Sequence, residues 1–136
     1  MTEKRFPAVL DQLEPVQIFV LDQLKDFPYS ERVRAQLDVA VEEIFVNIAR
    51  YAYPPDQPGW VLIRCQVDRG PLRITLQFVD SGVPFNPLAK RDADITLSAE
   101  DRQIGGLGIL MVKRSMDEMD YTYENGQNLL TLVKKI

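Results

Sequence analysis

Two consecutive prolines, Pro54-Pro55, are the strongest single constraint on how this chain folds. Neither can donate a backbone hydrogen bond, and each restricts the residue before it, so no helix or central strand runs through them. Helical spacing dominates before the pair and strand-like alternation after it. Residues about 9 to 26 place Val9, Leu10, Leu13, Val16, Val20, Leu21 and Leu24 at helical intervals, which Pro15 either kinks or starts afresh. A second helix is predicted from the N-cap candidate Ser30 to Tyr53, where the prolines stop it.

Beyond the prolines, 59–67 reads as a strand, Gly70-Pro71 as a turn and 72–79 as a second strand, with Ile74, Leu76 and Phe78 alternating with Thr75 and Gln77. Residues 80–106 are rich in Gly, Pro, Asp and Ser, a long irregular stretch that a compact domain seldom keeps without a use. Helical spacing resumes over 108–116. Two strands, 119–124 and 129–135, then flank the hairpin signal Asn125-Gly126. The expectation is an α+β two-layer sandwich over a single domain, 1–136, with a mixed, mostly antiparallel sheet and helices on one face.

At 136 residues and 46% hydrophobic, the chain can bury one ordinary core. Its 16 basic and 20 acidic residues give a net charge of −4 without long runs of either sign, which argues against direct nucleic-acid binding. Histidine is absent, which removes histidine-based nucleophilic schemes; with Cys65 the single cysteine, no thiolate–imidazole zinc site can form. Any metal would be a hard ion held by oxygen. Cys65 follows the apolar run Val61-Leu62-Ile63 and reads as a packed thiol. The amino terminus has no signal-peptide pattern and no apolar run is long enough to span a membrane, so a cytoplasmic protein with no membrane partner is expected.

Three motifs carry chemistry. In the second helix, Glu43, Asn47 and Arg50 share a face distinct from the apolar stripe of Leu37, Val41, Ile44 and Ile48. An amide oxygen there suits Mg²⁺, and a carboxylate one turn away could activate a hydroxyl; a solvated helix face would look the same. Next, Phe78-Val79-Asp80-Ser81-Gly82-Val83-Pro84-Phe85 puts an acid at a strand end, where it can accept from an exocyclic amine while Gly82 lets backbone approach a flat ring. A plain turn is the alternative. Last, Ile104-Gly105-Gly106-Leu107-Gly108 leads into a helix start, a fit for phosphates or simply a hinge. It lacks the Walker A pattern.

In this order and spacing, the three motifs resemble the N, G1 and G2 boxes of the GHKL ATPase superfamily, the histidine-kinase-like ATPases, over about residues 30 to 136. The form Asp80-Ser81-Gly82-Val83-Pro84-Phe85 is most similar to the bacterial anti-sigma-factor serine/threonine kinases. That resemblance implies a Bergerat fold that binds ATP and Mg²⁺. Asn47 would hold the metal, Asp80 would read adenine, and Gly105, Gly106 and Gly108 would border the phosphates. Arg50, Gly82, Phe85 and Leu107 complete the implied ATP contacts, Glu43 would be the general base, and about 85–104 would be the ATP lid, where Lys90, Arg91 and Arg102 could each reach phosphate oxygens or stay as solvated loop charges. The chain departs from the pattern in having Tyr51-Ala52-Tyr53 where a histidine is common, and Gly126-Gln127-Asn128 where a Gly-Thr-Thr-like start is common. Asn128 stands either near adenine in place of a hydroxyl or in a turn.

The function so implied is phosphorylation of an anti-sigma-factor antagonist by a kinase that also sequesters a sigma factor. The alternative is a non-catalytic module that uses ATP to hold a protein partner. A homodimer, common in that family, is compatible with the apolar residues near the amino terminus. A gyrase-type machine would need a transducer domain after Lys135, a sensor histidine kinase would need a histidine, and a nucleotide-free α+β domain would leave the three boxes to coincidence.

Overall fold

The computed structural model describes residues 1–89 and 107–136. A strand not anticipated from the sequence, β1 (Thr2–Pro7), opens the chain. It pairs antiparallel with β2 at the sheet edge, Phe6 opposite Val61, and Phe6 is its one buried residue. Glu3, Lys4 and Arg5 give it no apolar alternation. Such charges are usual on edge strands, so the pairing is dictated by the partner.

The first helical region is shorter than 9–26. A 3-10 turn, Leu10–Gln12, leads into α1 (Leu13–Asp22). Pro15 lies in the first turn of α1, where its missing N–H would have had no helical acceptor, so the helix starts afresh rather than kinking. Val16 and Val20 are its buried edge, and Leu24, just past its end, is buried as well.

Helix α2 (Glu31–Asn47) begins as expected, with Ser30 Oγ accepting the Val33 N–H at 3.1 Å. It does not stay α-helical to Tyr53. The backbone widens into a π-helical turn, Ile48–Ala52, and Tyr53 is extended with φ −124° and ψ 154°, the conformation that a following proline imposes.

Strands β2 (Trp60–Asp68) and β3 (Arg73–Asp80) form the first hairpin. A 3-10 turn, Pro87–Ala89, ends the first described segment. Helix α3 (Leu107–Ser115) opens the second and leads to β4 (Glu118–Glu124) and β5 (Gln127–Lys135). Asn125 and Gly126 both have positive φ, 54° and 74°, the conformation of a tight two-residue hairpin turn.

Strand order is β1-β2-β3-β5-β4, and each pairing is antiparallel, so the mixed element of the expected sheet is not found among the described strands. The chain crosses from β3 to the far edge and returns, so β5 lies beside β3. That return sets Asp80 directly opposite Asn128. Buried residues of the three α-helices and one sheet face, among them Val20, Leu37, Phe45, Ile63, Phe78, Val112 and Leu132, form one continuous core. Cys65 belongs to it, and burial pushes its thiol up to about 12.

Candidate functional site

Asp80 closes β3 on the inward face and is only 4% exposed. A carboxylate at that depth needs bonded donors. Its Oδ1 accepts the N–H of Gly82 and the Nδ2 of Asn128, both at 2.9 Å. No donor among the described residues reaches Oδ2. Burial raises the Asp80 pKa, and the two donors only partly offset it.

Asn128, 6% exposed, is the other buried polar residue of the described core. Besides Asp80, its amide nitrogen donates to the Val83 carbonyl at 3.0 Å, while its oxygen accepts the Phe85 N–H at 3.1 Å and the Tyr121 hydroxyl. One amide therefore ties β3, β4, β5 and the 82–85 backbone together. Tyr53 braces the same segment from below: its hydroxyl donates to the Trp60 carbonyl and accepts the Ser81 N–H at 2.9 Å. The π-helical turn adds a third tie, the Ala52 carbonyl accepting the Val83 N–H at 3.0 Å. A Cβ on Gly82 would strike that carbonyl, so glycine is what allows the approach.

These ties frame a cleft that opens to solvent. Ile44, Ile48, Phe78, Ile109 and Leu130 make apolar walls; Asp80, Asn128, Tyr121 and Asn47 supply the polar groups. Asn47 Nδ2 is buried and has no hydrogen-bond partner among the described residues. The Asn47 amide nonetheless lies near enough to Glu43 to favour the charged carboxylate, as does Arg50. Burial and the adjacent Glu42 charge outweigh them, so the Glu43 pKa is raised. A Cβ on Gly108 would collide with the Glu43 carboxylate, which therefore sits at the first turn of α3.

The structure thus brings Asn47, Asp80 and Phe85 to one cleft, with Gly82 bonded to Asp80 and Glu43 meeting Gly108 beside Ile109. Arg50 is exposed and does not line the cleft. Leu107 is the first residue of α3, and Gly105, Gly106, Lys90, Arg91, Arg102 and most of the expected lid lie outside the described residues. Sequence reasoning missed Tyr53 and Tyr121 and left Asn128 undecided. A signal for Asn128 existed: it occupies the inward phase that Leu130 and Leu132 continue along β5.

The description of the histidine kinase-like ATPase domain matches residues 6–134. This chain belongs to the histidine kinase-like ATPase domain family. As a member of that family it is a nucleotide-using, kinase-like ATPase domain. It is 27% identical over 104 residues to serine/threonine-protein kinase BtrW of Bordetella bronchiseptica, an alignment covering 76% of this chain and 72% of BtrW. It is 23% identical over 106 residues to serine-protein kinase RsbW of Listeria monocytogenes, covering 75% of this chain and 66% of RsbW. The fold is similar to that of the RsbU and RsbW domains of a Mycobacterium tuberculosis protein, with TM-score 0.66 at 14% identity over 99% of this chain and 32% of that one. It is also similar to a chain of the SiaB–SiaC complex from Pseudomonas aeruginosa, with TM-score 0.54 at 14% identity over 100% of this chain and 90% of that one. Among its described residues, this histidine kinase-like ATPase domain has no helix long and apolar enough to cross a membrane.

Proposed function

We propose that this chain is a cytoplasmic Mg-ATP-dependent serine/threonine kinase that phosphorylates an anti-sigma-factor antagonist and, in its other partnership, sequesters a sigma factor. Residues 1–136 form one nucleotide-binding domain in this reading, with about 85–104 as its lid. The observation that carries it is the joining of two features: an apolar cleft with a single buried carboxylate, and a helix holding Asn47 and Glu43 one turn apart at its rim. The named kinases among the relatives support the reaction class.

The apolar walls suit a purine ring, and Asp80 Oδ2 accepts from its exocyclic amine. Asn47 fits a metal role because it lines the cleft and its amide oxygen is a hard, neutral ligand. Mg²⁺ held there would neutralise phosphate charge. Glu43, whose burial favours holding a proton, takes the proton of the substrate hydroxyl. The hydroxyl oxygen bonds to the γ-phosphorus as the bond from that phosphorus to the bridging oxygen breaks, giving a phosphoprotein and ADP. Most of the catalysis is positioning and charge neutralisation.

The test is transfer of labelled γ-phosphate from ATP to candidate antagonist proteins by wild type and Glu43→Ala. Expected are a labelled serine or threonine with wild type, and ATP binding without transfer in the variant. Equal transfer by both would remove Glu43 from the reaction. ATP binding with no antagonist labelled by wild type would leave a nucleotide-dependent protein-binding module.

A further inference from the structure

We infer that Asn128 is the positioning residue that sets base selectivity, because its amide holds Asp80 so that one carboxylate oxygen alone is offered to the cleft. The inference rests on the nucleotide-binding reading above and goes one residue further, to a side chain that is not itself needed to touch the base.

The orientation of the amide follows from its neighbours. Its oxygen takes two donors, the Phe85 N–H and the Tyr121 hydroxyl, and its nitrogen faces three acceptors, Asp80 Oδ1, the Val83 carbonyl and, at 3.5 Å, the Gly82 carbonyl. Turning the amide over would set donors against donors and oxygens against oxygens, so this network permits one orientation. With the amide fixed, Asp80 Oδ1 is doubly occupied by Asn128 and by the Gly82 N–H. Asp80 cannot swing its carboxyl without breaking both bonds, and the oxygen left over is a pure acceptor. Such an acceptor favours a purine that presents an amine, as adenine does, and repels one that presents a carbonyl, as hypoxanthine does. Without Asn128, the carboxyl would keep a single donor in a buried setting, could turn, and would take up a proton that a base carbonyl accepts well.

Calorimetric titrations with ATP and with inosine triphosphate decide the matter, on wild type, Asn128→Ala and Tyr121→Phe. Wild type is expected to prefer ATP. Loss of one charge-assisted bond to Asp80 should narrow the ratio of the two affinities about tenfold in Asn128→Ala. Tyr121→Phe frees one end of the amide and should narrow it less. A purely structural Asn128 would weaken both nucleotides by the same factor, and an unchanged ratio in Asn128→Ala overturns the inference. Should that variant fail to fold, an unchanged ratio in Tyr121→Phe overturns it instead. Wild type binding both nucleotides equally well overturns the inference and leaves the nucleotide site standing, whereas wild type binding neither overturns both.

Discussion

The carboxylate of Glu43, one turn before the end of α2, rests against Gly108 in the first turn of α3, in space that a methyl group on residue 108 would claim. Glycine at this position makes room for the proposed base. Gly108→Ala should therefore displace Glu43, and misplacement of about an ångström costs on the order of 100-fold in rate. Phosphotransfer is expected to fall by that much while ATP affinity falls far less. Parallel measurement of single-turnover transfer and ATP affinity checks this, and an equal loss in both would assign Gly108 to binding alone.

Burial raises the pKa of Asp80 and of Glu43 alike. A carboxyl whose folded-state pKa is raised contributes stability that is complete below the ordinary carboxylate range and is lost as pH climbs through the raised value. ATP binding runs the other way, since the exocyclic amine needs an ionised Asp80. In Asp80→Asn the residue no longer titrates, so the variant should lose less stability than wild type as pH rises from the ordinary carboxylate range to neutral, while failing to bind ATP at any pH. Thermal melts and titrations across that range test both halves; identical melting profiles would sink the stability half.

Tyr53→Phe keeps the ring beside Gly59 and removes a hydroxyl that serves Trp60 and Ser81 at once. The expected cost is about 1–3 kcal/mol, a drop of roughly 3–10 °C in melting temperature. Scanning calorimetry reads it directly, and an unchanged melting temperature would mean that water replaces the hydroxyl.

Cys65 is buried with a thiol pushed up to about 12, and only thiolate reacts readily. Native protein should resist iodoacetamide at neutral pH and become alkylated quickly in denaturant. Mass spectrometry before and after unfolding is sufficient; fast native labelling would show that the core opens at β2.

Local chemistry made much of this fold legible. The Ser30 cap, the alternation of β3 and the Asn125-Gly126 turn each depend on a few neighbouring residues. Strand β1 was not legible because an edge strand of charged residues has no pattern of its own. The widening of α2 after Asn47 is equally silent, since Ile48 to Ala52 carry no helix breaker and the turn is recognisable only from the Ala52–Val83 bond it permits. In the site, Asp80 stood out as an acid at a strand end, and Asn47 as an amide one turn from Glu43 on a polar helix face. The cleft walls did not, because Ile44, Phe78 and Leu130 have the spacing of any core. The pairing of Asn128 with Asp80 depended on register between strands far apart in sequence, which spacing along one strand does not reveal.

The placement of β5 between β3 and β4 also orders events in time. Synthesis is vectorial, and a nascent chain that has emerged only as far as β4 already carries Asp80, Asn47 and Glu43 but has a gap where Asn128 and Leu130 belong. Until that strand leaves the ribosome, the cleft lacks one wall and Asp80 lacks its brace. A growing polypeptide therefore has no complete cleft before the sheet is whole.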